Sequence, residues 1–171
     1  MNTPIEIFDI VDESDRVIGQ APRGEIHQQR LRHRAVHVFV FDAEGRLYIQ
    51  KRSMSKDSFP GRYDSSASGH VDSSESYDAA ALRETREEIS LEFLPGKLRK
   101  HFSVAACEET SQEFVWVYSA RGNYQPVFNP IEIESARFWT VTEIEQHLAS
   151  HPDDWAPAFR LVFREFKQRR C

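Results

Sequence analysis

The chain has 171 residues, 40% of them hydrophobic, and a formal net charge of -5. That length supports one folding unit with a sizeable core, and the acidic balance argues against general affinity for a nucleic-acid polymer. Its two cysteines, Cys107 and Cys171, are far apart and show no zinc-type spacing, a pattern suited to a reduced compartment. The start, MNTPIEIFDIVDESD, lacks a basic-then-apolar leader, and no run approaches the roughly 20 apolar residues that span a bilayer. The expectation is a cytoplasmic protein, one domain over 1–171 with an N-terminal hairpin extension over about 1–30, and no membrane.

In chain order, IEIFDIVDESDRVIGQA reads as two short strands around the turn DESD, and PRGEIHQQRL as a short helix with Pro22 in its first turn. AVHVFVFDAEGRLYIQKRS reads as a hairpin from Ala35 to Arg52. SMSKDSFPGRYD is loop, and YDSSASGHV a short strand ending at Gly69, whose small side chains let another group approach the backbone. Asp72, Ser73 and Ser74 are the candidate N-caps of a helix over 75–89. KLRKHFSVAA, EFVWVYSA and SARFWTV read as strands, and Thr142 to Leu148 as a helix. Trp155, Phe159, Val162, Phe163 and Phe166 then recur at helical spacing. The mixed order indicates an α/β or α+β fold.

On the helix over 75–89, Glu84, Glu87 and Glu88 stand at i, i+3 and i+4, within an arc of about 100°. Asp78, Leu82, Thr85 and Ile89 fall on the neighbouring face, which is expected to pack on the sheet. Three carboxylates on one stripe repel, and a hard divalent cation relieves that repulsion. RETREE alone favours a solvated face carrying i, i+4 pairs.

From Gly69 the sequence reads GHVDSSESYDAAALRETREEISL. It resembles the signature of the Nudix hydrolases: Gly69, Glu75, Arg83, Glu84, Glu87, Glu88 and Leu91 fall on its positions. Thr85 stands where an aliphatic residue is usual and Ser90 where glycine is usual. The resemblance implies an α/β/α sandwich with a mixed sheet and a catalytic loop-helix. It implies hydrolysis of a diphosphate linkage in a nucleoside diphosphate-X type or related small molecule. It further implies Mg²⁺ or Mn²⁺ on Glu84, Glu87, Glu88 and the Gly69 carbonyl, with Glu75 and Arg83 holding the loop and helix. Glu132 in NPIEIES is the loop candidate for the general base, an ordinary exposed acid being the equal alternative. Lys51 and Arg52 are candidate phosphate contacts or a solvated strand end. A homodimer is common in the family.

The flanks VDESDRVIG, LRHRAVHVFVFDAEGRLYIQKRS and KDSFPGRYDSSASGH resemble the branch that contains isopentenyl diphosphate isomerase. There His33, His70 and Glu113 match a metal-binding set, and His27 matches a further histidine with its spacing off by about one residue. Ser68 stands where the isomerase has a cysteine, and Ser111 where it has a second strand glutamate. Those departures, with all three helix acids retained, favour hydrolysis over isomerisation or a non-catalytic binding module. His37 is expected to be structural.

Overall fold

The computed structural model describes residues 5–169. Strands β1 (Ile7–Val11) and β2 (Val17–Pro22) form an antiparallel ribbon, followed by helix α1 (Arg23–Gln29). Phe8, Ala21 and Ile26 make its small core.

The main sheet is mixed. β3 (His33–Phe41) pairs in parallel with β8 (Glu113–Arg121), which pairs antiparallel with β7 (Arg99–Val104). On its other edge β3 pairs antiparallel with β6 (Ala67–His70). β4 (Leu47–Arg52) pairs with β5 (Tyr63–Asp64) and β9 (Ile133–Trp139). The expected hairpin is therefore a hairpin only at its turn: β3 and β4 meet at Phe41 and Leu47 and then part. Ser66 fills the parting. Its hydroxyl accepts from Val40 N at 2.8 Å and donates to Tyr48 O at 2.6 Å, in place of the ladder bonds the splay removes. β6 runs in beside β3 there, which brings Gly69 opposite Val36.

Side chains alternate across β3 and β4 as strand geometry requires. Ala35, Phe39, Leu47 and Ile49 face one side, where α4 (Pro157–Gln168) lays down Phe159, Val162, Phe163 and Phe166. α3 (Val141–Ser150), opened by a Thr140–Glu143 capping box, adds Ile144 to that side. Val36, Val38, Val40 and Tyr48 face the other, under α2 (Tyr77–Ile89). The result is helix, sheet, helix in layers.

α2 begins later than its acidic prelude suggests. Ser76 is the N-cap, its side chain accepting from Ala79 N, not Asp72, Ser73 or Ser74. Glu75 is thus free for another task. Buried Thr85 satisfies its hydroxyl by donating to Ala81 O and Leu82 O. Ser90 ends the helix at φ 55°, with Leu91 N bonded back to Thr85 O, the left-handed closure that glycine would adopt without strain. Among the described residues no helix is long and apolar enough to cross a membrane.

Candidate active site

The face of α2 turned to the sheet carries two acids among apolar residues. Its buried residues are Ala80, Ala81, Glu84, Thr85, Glu88 and Ile89, whereas Asp78 is exposed. Of the expected packing face, Thr85 and Ile89 are buried and Leu82 packs partly buried against the core, while Asp78 does not. Glu84 and Glu88 point inward, and Glu87 stands outward with its side chain 51% exposed. The three acids do not form one solvent-facing stripe; two are desolvated and the third guards the opening.

Each buried acid is held by named partners. Gly69 lies against Glu84, and a Cβ there would collide with its carboxylate. No other residue type permits that approach. Glu88 Oε2 accepts from Gln50 Nε2 at 2.9 Å and from Ser68 N at 3.0 Å, so its Oε1 is left toward the cleft, with Lys56 Nζ 3.7 Å away. Burial, then the charge of Glu88, raises the Glu84 pKa to about 8 despite Arg83. Burial also raises that of Glu88, against the pull of Lys56 and the Gln50 hydrogen bond. Desolvated carboxylates that resist ionisation are the donor set a divalent cation stabilises.

Arg83 ties this arrangement together. It donates to Glu75 through Nε and Nη2 at 3.0 and 2.9 Å, to Glu84 at 2.6 Å, to His70 O at 2.8 Å and to Glu87 at 3.4 Å. Glu75 also accepts from Asp72 N. Helix, loop and β6 are thereby fixed to one guanidinium.

A second cluster adjoins the first. His27, His33 and His70 bring one ring nitrogen each within 4.8 Å of one another. Their Nε2 atoms are buried with no partner in hydrogen-bonding geometry, although Glu113 Oε1 lies 3.1 Å from His70 Nε2 and 3.6 Å from His33 Nε2. Three orphaned imidazole nitrogens beside a carboxylate fit a cation, which would supply each with its missing partner. Burial, with the neighbouring His70 and His33, lowers the His27 pKa to about 4, so its ring is neutral and able to ligate. Burial alone would raise the Glu113 pKa, but the His33 and His70 imidazoles outweigh it and keep the carboxyl below the usual range. Phe8 of β1 stacks on His70 at 4.6 Å and closes the cluster. α1 presents His27 here despite its offset spacing in the sequence.

The remaining residues separate. Arg52 lines the cleft, but its guanidinium holds Ser58 O at 3.0 Å and Asp64 at 3.3 Å. Lys51 does not reach the cleft: successive strand residues face opposite ways, and its ammonium pairs with Glu134 at 3.0 Å. That corrects its reading as a phosphate contact. Glu132 lines the cleft, and Lys56 contacts its carboxylate. His37 is buried at the cleft wall, its Nδ1 2.7 Å from Ser65 Oγ. Ser68 and Ser111 both line the cleft, which has a volume of about 770 Å³. Lys56, Gln50 and Arg23 were not singled out in the sequence. Gln50 carried a signal, since a fully buried amide on a core strand has to serve some partner. Lys56 and Arg23 carried none.

Comparison with known proteins agrees with the fold. The NUDIX domain family matches residues 31–161. An uncharacterised Nudix hydrolase of Streptomyces coelicolor is 50% identical over 95 residues, covering 56% of this chain and 52% of that protein; the match spans about half of that relative's length. An isopentenyl-diphosphate Delta-isomerase of Serratia proteamaculans is 34% identical over 165 residues, covering 94% of this chain and 90% of that one. A Deinococcus radiodurans crystal structure superposes with a TM-score of 0.76 at 34% identity, covering 85% of this chain and 90% of its own. Phe8, Arg23 and His27 precede the matched residues, so part of the histidine cluster's wall comes from the N-terminal ribbon and α1. The fold, the spacing of the helix acids and the family match converge: the chain belongs to the Nudix hydrolase family.

Proposed function

We propose that the chain hydrolyses the diphosphate linkage of a nucleoside diphosphate-X type or related small molecule, with Mg²⁺ or Mn²⁺ on Glu84, Glu87, Glu88 and the Gly69 carbonyl. The observation that carries this reading is the burial of Glu84 and Glu88 together, with a glycine that leaves room for the Glu84 carboxylate. A bound divalent cation supplies charge neutralisation on the phosphate oxygens and a more acidic water.

The chain's own residues do the positioning. Arg83 and Glu75 fix the helix against the loop. Gln50 and Ser68 N hold one oxygen of Glu88 and so aim the other. Lys56 brings positive charge into a cleft otherwise crowded with acids, where it attracts the diphosphate. Glu132, which lines the cleft beside Lys56, would accept the proton of the attacking water as the P–O bond to the leaving phosphate breaks. The protein acts as a single unit in which β1 and α1 complete the cleft.

The test is a panel of nucleoside diphosphate compounds with Mg²⁺, read by phosphate release and product analysis. Glu87→Gln and Glu88→Gln should each lose most turnover while remaining folded. Wild-type rates in both variants would sink the assignment.

The histidine cluster supports a second reading, a second cation on His27, His33, His70 and Glu113. In an isomerase such a set serves protonation of a carbon–carbon double bond, yet Ser68 offers no thiol as acid. Incubation with isopentenyl diphosphate should therefore give no allylic isomer, and appearance of that isomer would replace hydrolysis as the activity.

A further inference from the structure

A second cleft, of about 560 Å³, opens at the opposite end of the sheet. Phe41 and Arg121 end β3 and β8 there, while His33 and Glu113 begin them at the first cleft. From 33 to 41 is eight residues, roughly 26 Å at the rise of a strand. The two clefts share no lining residue.

The floor of this cleft is aromatic. Phe41, partly buried, stacks on the buried Phe166 with centroids 5.8 Å apart, and the buried Phe163 lies beneath. Its rim is basic. Lys97, Arg99, Arg121 and Lys167 line it, and no carboxylate does. Lys167 pairs with Glu145, but Lys97, Arg99 and Arg121 have no acid within ion-pairing distance among the described residues. Arg121 makes one hydrogen bond, to Ala43 O at 2.9 Å. A local excess of cations in a chain of net charge -5 does not follow from composition. Unpaired guanidinium groups beside an apolar floor at which only Phe41 is partly open are complementary to a ligand that is anionic at one end and apolar at the other. The cleft's volume is that of a small-molecule site.

We propose that this cleft binds a small organic anion with a flat apolar body, such as an aryl carboxylate, sulfonate or phosphate. The apolar body lies against the partly buried Phe41, and the anionic group meets Arg99 and Arg121.

The probe is 8-anilinonaphthalene-1-sulfonate, titrated into the full chain by fluorescence. Arg99→Glu and Arg121→Glu should each raise its dissociation constant about tenfold or more. Arg164→Glu makes the same change of charge at an exposed α4 position outside the cleft and should leave binding as it was. Because charge reversal can perturb folding, Arg99→Gln is measured as well and should weaken binding in the same direction. Inorganic pyrophosphate with Mg²⁺, directed to the first cleft, should not displace the probe. Equal binding by all variants, an equal loss in Arg164→Glu, or displacement by pyrophosphate would each overturn the proposal. None of these outcomes depends on whether the first cleft hydrolyses a diphosphate.

Discussion

α2 and α4 cover opposite faces of the same sheet, and they bury different chemistry. α4 buries Phe159, Val162, Phe163 and Phe166. α2 buries Glu84, Thr85 and Glu88 alongside two alanines and an isoleucine. The first helix is held by apolar area, which stabilises without direction. The second is held in spite of two carboxylates that water would solvate better, and a network through Arg83, Gln50 and Ser68 compensates in part. Both faces bury apolar core, and the α2 face adds a charge problem that a cation would resolve.

The largest expected effect separates the two faces by activity. Glu88→Gln should lower turnover roughly a thousandfold, given several kcal/mol of lost charge stabilisation, while steady-state kinetics of folded α4 variants stay near wild type. Phe159→Ala should instead cost about 3–5 kcal/mol of stability, read by denaturant unfolding, with kcat little changed below the melting temperature. If Phe159→Ala abolished turnover in folded protein, the division of labour between the faces would fail.

A smaller effect tests how Glu88 is aimed. Gln50→Ala leaves the fold but frees the carboxylate, and outer partners of this kind are worth about 10–100-fold. Wild-type kcat/KM in that variant would show that Glu88 needs no orienting amide.

pH sharpens the comparison further. The Glu84 pKa rises from 4.5 to about 8 on folding, so the folded state binds the proton more tightly than the unfolded one. The stability this contributes is fully present below pH 4.5 and is lost as pH rises through about 8. Metal-free protein should therefore show a falling melting temperature between about pH 5 and 8, and Mg²⁺ should restore more at pH 8 than at pH 5. The smallest effect lies at the helix end. Ser90→Gly should stabilise by about 0.5–1 kcal/mol, because glycine tolerates φ 55° without the Cβ clash.

α4 was legible because its apolar spacing and its burial obey the same rule. The helix acids were legible as a group through Gly69 and Glu75, but their orientation was not. Periodicity put the three acids in one arc and Asp78 on the neighbouring packing face, but it could not tell which arc meets the sheet; Glu84 and Glu88 are buried and Asp78 is exposed. The splay of β3 from β4 was hidden, since a hairpin turn says nothing of what happens past it, and the Ser66 hydroxyl that bridges the gap sits in another segment. Lys51 failed as a phosphate contact because its face of β4 depends on a register that the sequence leaves open. Lys56 reaches Glu88 and Glu132 only through the folding of an irregular loop.

The most direct test of the central claim is the melting temperature of wild type and Glu88→Gln at pH 8, with and without Mg²⁺. Without the ion the variant should melt higher than wild type, having lost a buried charge and kept its shape. With the ion wild type should rise and the variant should not. A variant that melts lower without Mg²⁺ and still gains from it would show that Glu88 stabilises the fold directly and binds no cation.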